Sequence, residues 1–262
     1  MGNVLEIKNL TTLLQSSDES REIVKGVNLK LADGEIHGLV GESGSGKSFT
    51  AKSILRLHDE SLVKYEGEII YDEVNLLELK ESQVAKYREK EIAYIFQNPS
   101  GSFDNLFTVG NQIEETLRYV AGLSKTEAKN KTYELLESVG VTPAKKRAKQ
   151  YPYEFSGGML QRSMIALAIA CNPKVLIADE ATTALDVTMQ ARVLRLFKKL
   201  RDERNLSVLC ITHDLGVVAE ICDTVSVMYD GHIVETGDVR KIFSSPEHEY
   251  TKQLLKSFKE VS

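Results

Sequence analysis

Apolar and polar positions change period several times along the chain. Residues 4–14 and 23–31 alternate apolar and polar side chains. That is the period of strands with one buried face, and it predicts two strands of an antiparallel layer. Polar residues 18–21 predict a turn between them, and Asp33-Gly34 the next one. Residues 35–40 form a short apolar strand and residues 49–57 read as a helix. Further strands are expected at 67–71 and 92–96, the second ending at Gln97. From 98 to 170 the period is helical, over 110–123, 125–139 and 158–170, which predicts a mostly helical insertion. Residues 174–178 and 207–211 are unbroken apolar runs, as in central strands of a parallel sheet. A helix at 191–204 lies between them and predicts a β-α-β unit. Residues 225–229 and 232–235 flank Asp230-Gly231 and predict a hairpin. A helical pattern over 241–258 closes the chain.

The expected strand and helix at 35–40 and 49–57 enclose Gly41-Glu42-Ser43-Gly44-Ser45-Gly46-Lys47-Ser48. This fits the G-x-x-x-x-G-K-[ST] phosphate-binding loop at every fixed position, in the strand–loop–helix setting that the motif needs. Gly41, Gly44 and Gly46 allow a tight turn, and the bared N–H groups with the helix N-terminus form an anion site. Ser43 and Ser45 lie within that loop. In this chemistry Lys47 reaches the β- and γ-phosphates of ATP and the Ser48 hydroxyl holds Mg²⁺.

A second nucleotide motif is the apolar run Val175-Leu176-Ile177-Ala178 ending in Asp179-Glu180. Asp179 is expected to contact the metal, and Glu180 to polarise an attacking water beside the γ-phosphate. A third is Phe155-Ser156-Gly157-Gly158-Met159. Ser156 can cap the following helix, while Gly157 and Gly158 bare its first N–H groups, giving a second anion site.

Composition narrows the setting. The chain has 262 residues and a formal net charge of −5, which argues against nucleic acid as its main partner. The basic cluster Lys145, Lys146, Arg147 and Lys149 reads as a solvated loop face. No signal peptide is visible, and no apolar run approaches the ~20 residues of a membrane span, so a chain soluble by itself is expected. Cys171, Cys210 and Cys222 are widely spaced in apolar stretches and read as buried free thiols. His37, His58, His232 and His248 are scattered, with surface or packing roles expected.

Together the motifs resemble the ATP-binding cassette ATPases, over almost the whole chain. The resemblance implies a P-loop NTPase (RecA-like) core, with an antiparallel β layer, at 1–97 and 171–262. Residues 98–170 would be the helical signature subdomain. It implies that Gln97 is the Q-loop glutamine that senses Mg²⁺ and contacts a membrane subunit. Ala184-Leu185-Asp186 would be the D-loop, and His213 the switch histidine that contacts the γ-phosphate. Ser156, Gly157 and Gly158 of one subunit would close on the phosphate loop of another. The implied partners are a second homologous ATPase, two transmembrane permeases and, indirectly, an external binding protein. The implied location is the cytoplasmic face of a bacterial-type cell membrane.

Tyr151-Pro152, Glu154 to Met159, Gln161-Arg162 and His213-Asp214-Leu215-Gly216 look like the dipeptide, oligopeptide and nickel importer ATPases. The chain lacks the cysteine-bearing extension of many oligopeptide members, which points toward the short nickel or metallophore form. Two residues depart from the family pattern. Ala181 stands where proline is usual, which implies a looser loop around Glu180. Leu14 stands where an aromatic ring usually stacks on adenine, which implies weaker base contact. Two alternatives stay open: a non-transport cassette ATPase, and an ATP-binding subunit with little hydrolysis.

Overall fold

The computed structural model describes residues 2–15, 20–183 and 185–261. In chain order the elements are β1 (Asn3–Gln15), β2 (Ser20–Ala32), β3 (Ile36–Val40), α1 (Lys47–Ile54), β4 (Val63–Tyr71) and β5 (Val74–Asn75). Next come α2 (Glu81–Lys86), β6 (Ile92–Ile95), α3 (Val109–Tyr119), α4 (Lys125–Ser138), α5 (Ala144–Arg147), α6 (Gly157–Ala168) and β7 (Val175–Asp179). The chain ends with α7 (Val187–Arg204), β8 (Ser207–Thr212), α8 (Leu215–Ile221), β9 (Thr224–Tyr229), β10 (His232–Asp238), α9 (Val239–Ser244) and α10 (Glu249–Val261). It divides into two compact units, one of Met1–Ala85 with Ser207–Ser262 and one of Lys86–Leu206. The α/β class expected from the sequence is the one observed.

In the first unit, β2, β1, β4 and β5 form an antiparallel sheet in that order. Of the turn expected at 18–21, Asp18 and Glu19 lie outside the described residues, while Ser20 and Arg21 open β2. β4 starts four residues before the expected strand because Val63 and Tyr65 already pair with Leu14 and Thr12 of β1. A second layer places β3 between β8 and β9, parallel to both, with β10 antiparallel on β9. Every residue of β3 and β8 is buried. That is why both read as continuous apolar runs rather than alternating ones. The hairpin turn is Asp230 (φ 44°) and Gly231 (φ 83°), the two successive left-handed residues that a tight hairpin requires. Val40 of β3, Val225 and Val227 of β9, Val218 of α8, Val239 of α9 and Leu255 of α10 belong to one buried cluster.

The closing helical pattern is interrupted. It resolves into α9 and α10, separated by residues 245–248. Pro246 disfavours helical backbone at the residue before it, and Ser245 sits at φ −144°, ψ 63°. The Glu235 carboxylate then accepts the N–H groups of Glu247 (2.8 Å) and His248 (3.0 Å), which fixes the start of α10 on β10.

In the second unit β6 and β7 pair in parallel, from Ile92↔Val175 to Ile95↔Ala178. Ile113, Leu117, Leu136 and Ile165 form buried faces of α3, α4 and α6, and Val139, the C-cap of α4, is buried too. Local chemistry sets the helix starts. Thr108 caps α3, a Ser124–Glu127 capping box starts α4, and Asp186 caps α7. α3 stops at Tyr119, short of the expected 123, and Gly122 turns left-handed at φ 72° before the Ser124 cap. The basic cluster lies on and just after the short helix α5 rather than on a loop. Lys145, Lys146 and Lys149 are exposed there, as expected of a solvated face.

Candidate nucleotide site

The first unit carries the phosphate loop. It leaves β3 at Val40 and enters α1 at Lys47. Gly41 is buried against β9: a Cβ there would lie 2.1 Å from the Met228 carbonyl oxygen, so only glycine fits. Gly46 is the left-handed N-cap of α1 (φ 106°) and offers no side chain to cap it. The first turn of α1 thus begins without a side-chain cap, at the helix end where anions are favoured. Gly44 (φ 83°) and Ser43 are exposed, and Ser45 is buried. Lys47 is buried and folds back over its own loop. Its Nζ donates to the carbonyls of Gly41 and Glu42, both at 2.7 Å, and to Ser45 Oγ at 3.3 Å. Ser48 is half-buried in the first turn of α1.

His213 follows β8. The register pairs Val40 with Thr212, so the phosphate loop and His213 leave neighbouring parallel strands at the same carboxyl-end height. That edge is where open α/β sheets place ligands. His213 is exposed, at a corner fixed by Asp214, whose carboxylate caps α8 through the Gly216 N–H at 2.8 Å.

The second unit brings Gln97, Asp179 and Glu180 together at the ends of β6 and β7. Gln97 Nε2 donates to Glu180 Oε2 at 2.7 Å. Asp179 is 2 % exposed and accepts the Tyr94 hydroxyl on Oδ2 at 2.8 Å. Burial and the adjacent Asp179 carboxylate push the Tyr94 phenol well above its ordinary range, so it stays a hydrogen-bond donor. Glu180 has left-handed backbone at φ 49°, uncommon for a non-glycine residue. Its conformation is supported locally: Thr183 Oγ1 donates to the Glu180 carbonyl at 3.0 Å, and Gln161 Nε2 to the Ala181 carbonyl at 2.6 Å. Ser156 caps α6 as expected, accepting the Met159 N–H at 3.3 Å, with Gly157 and Gly158 in the first turn. Of the expected D-loop, Ala184 lies outside the described residues and Asp186 is the cap of α7. Leu14 lies on β1 and is 36 % exposed.

Three contacts with site residues escape a reading of motifs. The sequence marks Tyr94 as a strand residue, and Gln161 as part of a helical pattern and of the family resemblance, but shows neither contact. Tyr250, on α10, accepts the Glu42 N–H at 2.9 Å across a separation of 208 residues. The histidines also have partners. His37 bonds Thr224 Oγ1 (2.6 Å) and Ser226 Oγ (2.9 Å), and His58 stacks on Phe49. The three cysteines are free, but only Cys210 is buried; Cys171 and Cys222 sit half-buried near helix ends.

An uncapped helix start behind an open glycine loop, with a lysine ammonium folded onto it, suits a polyphosphate anion. Ser48 in the first unit offers a hydroxyl, and Gln97 and Asp179 in the second offer an amide and a carboxylate; each is a hard oxygen donor of the kind Mg²⁺ takes. The fold and this loop define a P-loop nucleotide-binding protein. A sequence model of the family described as ABC transporter matches residues 24–183. The "Probable peptide ABC transporter ATP-binding protein y4tR" of Sinorhizobium fredii is 47 % identical over 97 % of this chain and 76 % of its own length. The "Oligopeptide transport ATP-binding protein OppD" of Bacillus subtilis is 48 % identical over 97 % of this chain and 71 % of its own length. A solved dimer of the ATP-binding cassette MJ0796, titled as a post-hydrolysis state bound to ADP and Pi, superposes with a TM-score of 0.82. It is 30 % identical, over 90 % of this chain and 99 % of that one. The chain therefore belongs to the ABC transporter family, as one of its ATP-hydrolysing subunits. No helix among the described residues is long and apolar enough to cross a membrane.

Proposed function

We propose that this chain is the ATPase subunit of an importer for di- or oligopeptides, acting from the cytoplasmic face of the membrane on two partner permeases. The observation that carries the substrate class is the pair of relatives at 47–48 % identity over 97 % of the chain, both named for peptides. The preference for nickel or a metallophore rested on chain length and has no such support, so metal uptake becomes an outcome of the test.

In this reading Lys47, Ser48 and the N–H groups of residues 44–48 hold the phosphates of ATP. Ser48, Gln97 and Asp179 would hold Mg²⁺, which would supply neutralisation of phosphate charge. Glu180 orients the attacking water and His213 steadies the transferring phosphoryl group. Gln97 would meet the metal through its amide oxygen, the atom that its Nε2 bond to Glu180 does not use. Ser156, Gly157 and Gly158 present the anion site of α6 to the phosphate loop of a second, homologous ATPase, and that pair is a heterodimer. Residues 98–170 pass the closure on to the permeases, and 1–97 with 171–262 form the nucleotide core. An external binding protein and the permeases select the cargo.

The test is uptake by cells lacking the gene, complemented with the native chain, Lys47→Ala or Glu180→Gln. Labelled di- and oligopeptides would be followed beside cell nickel, cobalt and zinc. The expected result is peptide uptake restored by the native chain alone, with Glu180→Gln retaining ATP but hydrolysing it at least about 100-fold more slowly. Metal uptake that depends on the chain while peptide uptake stays normal would overturn the substrate class. Normal turnover by Glu180→Gln would overturn the role of Glu180.

A further inference from the structure

The peptide plane that joins Gly41 to Glu42 opens the phosphate loop, and both of its polar atoms are engaged. Its carbonyl oxygen, on Gly41, accepts Lys47 Nζ at 2.7 Å. Its N–H, on Glu42, donates to the Tyr250 hydroxyl oxygen at 2.9 Å. Rotating this plane would turn the carbonyl away from the ammonium, and would require the N–H to leave Tyr250. Gly41, without a Cβ, resists such rotation less than any other residue would. Lys47 holds one end of this plane from within the loop, and Tyr250 holds the other from outside it.

Tyr250 is built to do this. It is 8 % exposed and belongs to the buried cluster that includes Val40, the residue just before the loop. Its ring lies against Tyr229, centroids 4.3 Å apart, and its N–H donates to His248 Nδ1 at 3.2 Å. The start of α10 is tied to β10 by the two backbone bonds to Glu235. A continuous series of contacts thus runs from β10 through Glu235 and the first turn of α10 to the phosphate loop. All of it lies within the first unit.

We propose that Tyr250 is a positioning residue for the phosphate loop. Its hydroxyl fixes the Gly41–Glu42 plane, so that Lys47 and the loop N–H groups meet a nucleotide in one arrangement. Tyr250 touches no substrate; it acts through the backbone of Glu42. The proposal rests on the reading of this loop as the ATP site.

The test compares the native full-length chain with Tyr250→Phe, which keeps the ring and removes only the hydroxyl. Lys47→Ala is carried in parallel. Mg-ATP affinity would be measured by calorimetry, amide exchange by mass spectrometry, and stability by urea unfolding. Tyr250→Phe is expected to bind Mg-ATP about threefold to tenfold more weakly, the range expected for one lost hydrogen bond. Faster exchange is expected only in peptides covering residues 41–48, with an unfolding midpoint close to native. Unchanged affinity with unchanged loop exchange would overturn the proposal. So would exchange accelerated evenly across the first unit, which marks general loosening. If the native chain binds Mg-ATP and Lys47→Ala does not, either failure falls on Tyr250 alone. A native chain that does not bind Mg-ATP would overturn the reading of the loop, and this proposal with it.

Discussion

His37 gives the fold that supports the phosphate loop a defined sensitivity to acid. It lies on β3, 1 % exposed, with its ring nitrogens on the hydroxyls of Thr224 and Ser226 of β9. Burial depresses its pKa from the ordinary 6.5 to about 4, and the Glu35 carboxylate, 3.9 Å away, offsets only part of that. Above about pH 6.5 the folded and unfolded chains both hold His37 neutral, and it adds no pH dependence. Below that, the unfolded chain takes up a proton that the folded chain refuses, so stability falls as pH falls. The full loss, roughly 3 kcal/mol, is reached below the folded value of about 4. Near pH 5 about 2 kcal/mol of it is already gone.

The perturbation that isolates this effect is His37→Gln. The amide can still bond both hydroxyls but has no proton to take up. Urea unfolding followed by tyrosine fluorescence suits a chain without tryptophan. The variant is expected to start less stable near neutral pH, through altered packing. Between about pH 7.5 and pH 5 the native chain should then lose about 2 kcal/mol more than the variant. Carboxylates common to both cancel in the difference. Parallel pH profiles would refute the reasoning, because they would mean that His37 is protonated as readily in the folded chain as in the unfolded one.

Two further substitutions probe the second unit. Tyr94→Phe removes a donor from the buried Asp179 carboxylate and should cost about 1–3 kcal/mol of stability, with a raised Mg²⁺ requirement for hydrolysis. Thermal unfolding and a Mg²⁺ titration of ATPase activity check it; an unchanged melting point would show that the bond contributes nothing. Gln161→Leu removes the 2.6 Å bond to the Ala181 carbonyl beside Glu180. Turnover should fall several-fold while Mg-ATP affinity stays near native, and a loss confined to affinity would contradict a role in holding the Glu180 loop.

How much of this could be read from the sequence depends on how local each determinant is. The phosphate loop, the Ser156 cap and the Asp230-Gly231 turn are legible because their conformations are dictated by the residues themselves. The break between α9 and α10 was equally local: Pro246 marks it, but the apolar period continues on both sides and masks the interruption. Tyr250 is different in kind. Nothing near it in sequence marks it as a neighbour of Glu42, because the contact exists only once β9, β10 and α10 have folded around the loop. Tyr94 is similar, since a tyrosine in a strand is unremarkable until β7 lies beside it. The loosening expected from Ala181 was argued from a missing proline. The hydrogen bonds from Thr183 and Gln161 that steady this loop exist only in the folded chain, although Gln161 already counts toward the family resemblance.

The pairing of Val40 with Thr212 has a consequence for anyone who would transplant this chemistry. The relative height of the phosphate loop and His213 is written in main-chain hydrogen bonds between two strands, not in the side chains around them. Core residues beneath can be exchanged without moving the two groups apart, so long as that alignment survives. A slip of one residue between the same strands would reverse the face to which each slipped side chain points. The portable object is therefore a pair of aligned parallel strands with their two loops attached, and a loop grafted alone would arrive without its measure of height.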